Sequence, residues 1–405
     1  VEEVPKEQPK VPGPVKPVPV VDPILDTSVV SNNPIPSLES SGFTIYSGFD
    51  STVDVISTQR DGKILAGGYF SNYKGESANK IIRLNPNGSI DNSFIYGSGF
   101  NGWVRDIVVQ SDGKILICGH FTSYNGVTAN RIIRLNPNGS IDNSFTSGEG
   151  CNSVAHCIAL QPDGKIIIGG VFNAYDGVWT AKIIRLNPDG TNDGTFFVSE
   201  TTLKNGFNSF VNSILVQPDG KLLIGGAFTS YNGTTANRII RLNPNGSIDT
   251  TFSYGTGFSN EVKSIIKQPD GKLLIGGAFT SYNGTTANRI IRLNPNGSKD
   301  ASFVYGSGFD SYVNSIYMQS DRKILIGGNF NSYNGVSANK IIRLNPNGYK
   351  EDSFVYGTGF NRSVDSILEL PNGKILTGGG FTSYNGDIYN RIILLNNNGS
   401  SETNS

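Results

Sequence analysis

Asp219-Gly220-Lys221-Leu222-Leu223-Ile224-Gly225-Gly226-Ala227-Phe228 is a turn, a short apolar run, a glycine pair and an aromatic residue in ten positions. Asp-Gly-Lys also stands at Asp61, Asp112, Asp163 and Asp270, and in altered form as Asp321-Arg322-Lys323 and Asn372-Gly373-Lys374. Successive copies are 51 residues apart, except for 56 between Asp163 and Asp219. Seven copies of one long unit signal an array or a closed ring of modules.

Working outward from the turn, residues 101–151 read as four short strands. Trp103 to Gln110 is rich in Val and Ile, Ser111-Asp112-Gly113 is a hairpin turn, and Lys114 to Gly119 is the second strand. A loop from Phe121 to Gly126 leads to a third strand, Asn130 to Asn136, and Phe145 to Gly150 is expected to be a fourth. A single antiparallel sheet of this size cannot bury both faces, whereas seven packed around an axis can. The expected fold is therefore all-β, a seven-bladed β-propeller of four-stranded antiparallel blades. The last unit stops at Gly399 without its fourth strand, and Gly42 to Phe49 matches Ser93 to Phe100 in position and character. Residues 42–49 are thus expected to complete the seventh blade as an N-terminal clasp strand that removes the open edges. The chain divides into a proline-rich arm or linker at 1–41, the propeller at 42–399 and a tail at 400–405.

A second pattern repeats with the turn. Arg83, Arg134, Arg185, Arg241, Arg292 and Arg343 are each followed eight residues later by an acid: Asp91, Asp142, Asp193, Asp249, Asp300 and Glu351. In the seventh unit Leu394 replaces the arginine, and the clasp residue in the acid's place is Ser40. Joint loss of both members suggests a paired, partly buried Arg–carboxylate in each complete blade. The recurring Phe70 and Tyr73, with their copies, suit packing between blades, the tyrosine hydroxyl reaching a polar partner. Glycine pairs such as Gly225-Gly226 suit close approach of a neighbour.

The run Asp219 to Phe228, then Tyr231-Asn232-Gly233, then Arg241-Leu242-Asn243 through Gly246 and Asp249 to Phe252, resembles the bacterial delta-sixty propeller repeat. The resemblance covers residues 42–399. It implies a propeller of the kind carried by large secreted, surface or phage-borne proteins, and it places no catalytic residue on any position of this chain.

Composition narrows the function classes. The formal net charge is zero and only 16% of residues are charged, so there is no basic footprint for nucleic acid. Three cysteines make no disulfide framework, and no apolar run approaches a membrane span. A chain that begins at Val1, with Met318 as its one methionine, is expected to be a processed form or a piece of a longer protein. Nine prolines between Pro5 and Pro36 favour an extended arm that serves as a linker or docks on a protein partner or neighbouring subunit. The insertion in the fourth unit, with Phe197, Glu200, Leu203 and Lys204, is the first candidate binding loop. His120 beside Cys118 and His156 beside Cys157 fit no zinc motif, and the Asn-Pro-Asn-Gly turns are too poor in carboxylates for calcium. No metal, cofactor or catalytic set is expected. The first-strand position occupied by Asp54, Arg105, His156, Asn212, Lys263, Asn314 and Asp365 varies most and is expected to face the central channel. The sequence therefore points to a noncatalytic structural or protein-interaction scaffold, extracellular, on a bacterial cell surface or a virion. The alternative is a glycan-binding adhesion propeller with shallow pockets near the tyrosine loops.

Overall fold

The computed structural model describes Phe43, residues 48–196 and residues 206–401. The arm 1–41, most of the clasp, Phe197, Glu200, Leu203, Lys204 and residues 402–405 lie outside the described residues.

The described chain is a seven-bladed, all-β propeller. In the second blade an inner strand, Val104–Val109, pairs antiparallel with a middle strand, Ile115–Gly119, which pairs antiparallel with a third, Ile132–Leu135. The same three-stranded sheet recurs in every unit. Each middle strand is buried along its whole length, because neighbouring blades cover both of its faces. The Asp-Gly-Lys element is the predicted hairpin, with a different division of labour. Only Gly113, at φ 83°, takes the left-handed conformation. Asp112 instead accepts the Lys114 N–H through Oδ1 at 3.0 Å, and Gly113 N–H closes the turn on Gln110 O at 2.9 Å. This is the form of a three-residue loop that ends in a left-handed glycine.

The expected fourth strand is where the unit departs from the sequence reading. Phe145 to Gly150 forms no ladder with its own blade. Gly148 and Gly150 sit at φ 54° and 66°, which turns the backbone out of extended geometry. The Thr146 N–H is donated to Asp189 O in the next blade at 2.6 Å, so this segment crosses the seam. The loop between middle and third strands folds into a two-residue hairpin, Ser123–Tyr124 with Val127–Thr128.

The ring closes. Each inner strand packs on the next, and that of the seventh blade, Val364–Glu369, packs on the first, Val53–Thr58. The closing contacts reproduce those of other seams. Phe49 N–H meets Asn390 O at 3.0 Å, as Phe100 N–H meets Asn79 O at 3.1 Å. Ser366 Oγ accepts the Ile56 N–H at 3.1 Å. Of the expected clasp only Phe43, Gly48 and Phe49 are described, and Phe43 is buried in the same apolar cluster as Leu376 and Leu394 of the seventh blade.

Seams are tight where the glycine pair begins. A Cβ on Gly225 would lie 2.5 Å from Val262 Cγ1 and 2.8 Å from Ile265 Cδ1 of the next blade. In the second blade Cys118 holds this place, and the valine it would face is Ala155. The side-chain volume missing on one side of the seam appears on the other.

Six seams are also bridged by arginine. Arg241 Nε donates to Asp249 Oδ2 at 2.6 Å, its NH2 to Thr251 Oγ1 at 3.0 Å, and its NH1 to Pro295 O of the next blade at 2.6 Å. Its guanidinium lies 4.8 Å from the Phe252 ring centroid. Arg83, Arg134, Arg185 and Arg292 make the same reach to Pro137, Pro188, Pro244 and Pro346, and Arg343 reaches Asn397 O at 2.5 Å. The turn lysine completes the cluster: Lys63 lies 3.0 Å from Asp91, and Lys165 lies 2.7 Å from Asp193. Burial raises the carboxyl pKa at Asp91, Asp142, Asp193, Asp249 and Asp300, but hydrogen bonds from Ser or Thr and the paired Lys and Arg outweigh it and hold each below the usual range. Glu351 is lowered to about 2 by the same balance.

Two outcomes follow from this network. Asp249→Ala leaves the Arg241 charge buried and should cost about 3–5 kcal/mol. Adding Arg241→Leu, the residue type that the seventh unit carries at Leu394, should recover part of that loss in urea denaturation. Because these carboxyls have depressed folded-state pKa values, their stabilisation is present above about pH 4 and is lost as pH falls through the folded values. Melting temperature should drop steeply from pH 5 to pH 2.5, and by less in Asp142→Asn.

Candidate functional site

Every inner strand contains a β-bulge. Val104 pairs with Gly119 and Asp106 with Cys118, so Arg105 between them opposes no residue. The same shift isolates Asp54, His156, Asn212, Lys263, Asn314 and Asp365. A bulge re-aims the side chain of its extra residue. The seven positions that the sequence singles out as most variable are thus the seven bulged residues, and six of them meet a counterpart across a seam. Arg105 NH1 donates to Asp54 Oδ2 at 3.2 Å, His156 Nδ1 lies 3.2 Å from Asn212 Oδ1, and Asn314 Nδ2 donates to Asp365 Oδ1 at 2.8 Å. Lys263 pairs with Glu261 at 3.5 Å. These contacts form a polar collar around the axis.

Two further positions in each unit stand at the same end of the inner strand. Backbone bonds join them: His120 N–H to Trp103 O at 2.7 Å, Asn329 N–H to Tyr312 O at 2.8 Å, and Tyr69 N–H to Thr52 O at 2.9 Å. They also differ from blade to blade. Before the strand stand Thr52, Trp103, Val154, Phe210, Glu261, Tyr312 and Ser363. Aromatic residues occupy blades two, four and six, and Trp103, Phe210 and Tyr312 are 39%, 42% and 41% exposed. Trp103 lies between Tyr69 and His120, at ring-centroid distances of 4.1 and 4.6 Å. Lys263 sits over Tyr312 at 5.4 Å. The sequence reading found the bulged residues and missed this rim. Its signal is the residue preceding each inner strand, whose chemistry changes while the framework around it repeats.

Burial governs the electrostatics of the collar. Asp54 is raised to about 7 by burial, with the Asp365 charge adding and the Arg105 charge opposing. Asp365 is raised by burial against hydrogen bonds from Ser363 and Asn314. Burial, together with Arg105, lowers His120 to about 4 and lowers His156, so both rings are neutral at pH 7. At the seam of blades two and three, Asp106 accepts the Ile158 N–H at 2.8 Å and is raised to about 6 by burial. It takes the place of Ser366, which makes the same bond at the closing seam.

Other sequence candidates lie elsewhere. The arginine–carboxylate residues sit in the seams, on the side of the Asn-Pro turns, away from the mouth. The recurring tyrosines are buried, and each hydroxyl donates to a glycine carbonyl of its own blade, as Tyr231 does to Gly246 O at 2.6 Å. Their rings lie inside the blades and present no exposed face. The Asn-Pro-Asn-Gly oxygens serve their own turns: Asn87 Oδ1 accepts the Ser89 N–H at 3.0 Å. Cys118, Cys151 and Cys157 are buried free thiols, and Cys151 fills the place that Phe100 takes in the preceding unit. Among the described residues no three His, Cys, Asp or Glu side chains converge as a metal site requires. The inserted loop with Phe197 and Lys204 lies outside the described residues.

A raised carboxyl pKa acts oppositely to a depressed one. The folded state retains a proton that the unfolded chain has released, so stability falls as pH rises from about 4 towards 7. Asp54→Asn removes that titration. Its melting temperature relative to wild type should rise from pH 5 to pH 8, by the equivalent of at most roughly 3 kcal/mol.

The family described as "Domain of unknown function (DUF5122) beta-propeller" matches residues 59–94, 110–145, 161–196, 217–252, 268–303, 319–354 and 370–404. A Salmonella typhimurium protein described as a surface-exposed virulence protein, BigA, is 24% identical over 221 residues, covering 48% of this chain and 10% of that protein. The extracellular domain of a one-component system protein from B. thetaiotaomicron superposes with a TM-score of 0.50 at 13% identity, over 89% of this chain and 43% of the other. The extracellular domain of a hybrid two-component system protein from B. thetaiotaomicron superposes with a TM-score of 0.49 at 14% identity, over 85% and 39%. The chain thus spans about a tenth of its curated relative and under half of these structures. With the family matched in all seven blades, the chain belongs to the DUF5122 β-propeller family.

Proposed function

We propose that this propeller is a noncatalytic recognition and scaffold module displayed outside a bacterial cell, built from repeats of the delta-sixty type. The proline-rich residues 1–41 join it to a partner or to the rest of a longer protein, and the channel mouth is its contact face. One observation carries the reading. The repeated arginine–acid pairs, tyrosine hydroxyls and turn asparagines bond within the framework, whereas charge and ring type change from blade to blade at the mouth. The collar carboxyls are held by Arg105, Asn314 and Ser363 in hydrogen bonds, an arrangement suited to binding. The similarity to a BigA described as surface-exposed supports the location.

The three native cysteines are buried, so an introduced thiol gives a clean probe. Asn329→Cys places one at the exposed mouth. A membrane-impermeant maleimide should label this variant on intact producing cells and leave the parent protein unlabelled. Labelling only after lysis would remove the extracellular reading.

A further inference from the structure

We propose that the channel mouth is a saccharide site that takes the end of a neutral sugar chain; this deepens the recognition reading above and rests on it. A sugar ring is amphipathic: one face presents C–H groups and the edge presents hydroxyls. The mouth has the complementary division. Trp103, Phe210 and Tyr312 stand at one equivalent position on alternate blades, each about two-fifths exposed, and place apolar ring surface around the rim, Trp103 within a cluster with Tyr69 and His120. Among the described residues Asn314 Oδ1 of the collar and His120 Nε2 beside Trp103 have no hydrogen-bond partner, which leaves polar atoms to meet hydroxyls. Concave sites that fix a small ligand combine apolar contact with a few convergent polar groups in this way.

Charge selects the class of sugar. The two collar cations each stand beside an acid, Arg105 by Asp54 at 3.2 Å and Lys263 by Glu261 at 3.5 Å, which weakens their pull on an anionic ligand. Asp365 is held by Asn314 at 2.8 Å and Ser363 at 2.9 Å, which leaves no open carboxylate for a cation. A protein partner of ordinary kind is disfavoured by the rim itself. Thr52, Val154, Glu261 and Ser363 separate the aromatic residues, so the mouth lacks the contiguous apolar centre of a protein–protein interface. Neutral hydroxyls between separated aromatic faces are what this surface accommodates.

The chain's two tryptophans make the test direct. Trp179→Phe in the full chain leaves Trp103 at the rim as the sole indole. Its emission is followed while neutral mono- and oligosaccharides of the gluco, galacto, manno and N-acetylhexosamine types are added. At least one type should produce a saturable change. Its midpoint should weaken at least tenfold in Phe210→Ala or Tyr312→Ala and stay unchanged in Tyr349→Ala, which removes an exposed ring from an Asn-Pro turn. No response to any saccharide at tens of millimolar, or a response that survives both rim substitutions, overturns the proposal. The cell-labelling result is independent of it. A mouth labelled on intact cells with no sugar response removes the saccharide and leaves the recognition reading, with a protein partner as the alternative. A mouth labelled only after lysis removes the location whatever the sugars do.

Discussion

The arginine that reaches across each seam is the interaction on which the ring depends. Its guanidinium is planar, permanently charged and carries five donors in a fixed fork. One edge is held by the carboxylate and hydroxyl of its own blade, and the remaining nitrogen bonds a backbone carbonyl of the next. A lysine could neutralise the acid but could not make both connections in one plane. Six arginines therefore set the position of each blade relative to its neighbour, and the phenylalanine stacked on each excludes water from the bond. At the closing seam the arginine is replaced by Leu394, in one apolar cluster with Phe43. Burying an arginine without its acid would be costly, and an apolar side chain avoids that cost.

Tight seams constrain the core in the same way. The approach of Val262 to Gly225 leaves no room for a Cβ, so a larger residue requires a smaller one opposite it. Cys118 with Ala155 meets that requirement. Cys151 in an aromatic residue's place and Asp106 in a serine's place put three exceptions in the same pair of blades. Their thiols and carboxyl are buried, and the stacked repeat tolerates them because each exception is confined to one seam.

Seam arginines, their acids and the buried tyrosine hydroxyls are all committed to bonds within the framework. What remains free to vary is the bulged residue of each inner strand and the residue just before it. The bulge turns these side chains towards the axis without disturbing the ladder, so seven nearly identical blades can carry a mouth with no seven-fold symmetry. Arg105 and His156 then meet an acid and an amide from adjacent blades, and Lys263 meets Glu261 of its own blade. The pH response of the molecule divides accordingly, with seam carboxylates favouring the folded state above about pH 4 and collar carboxylates opposing it as pH rises further.

The 51-residue period, the turn at each Asp-Gly-Lys and the eight-residue Arg–acid spacing determined the number of blades, their antiparallel pairing and the existence of a charged pair, because each is a local pattern repeated along the chain, the turn seven times and the charged pair six. Lys63 and its copies were legible as turn residues but not as partners of Asp91, since 28 positions separate them in the chain. The fourth strand was misread because its glycines look like strand interruptions until their positive φ values and cross-seam bonds are seen. Only the tertiary structure decided that Asp54, Arg105 and their counterparts lie in bulges, that Arg241 reaches Pro295, and that Trp103, Phe210 and Tyr312 share one rim. The bulge depends on strand register, the arginine reach joins residues 54 positions apart, and the rim residues are over a hundred apart, so only the packing of blades around the ring brings them together.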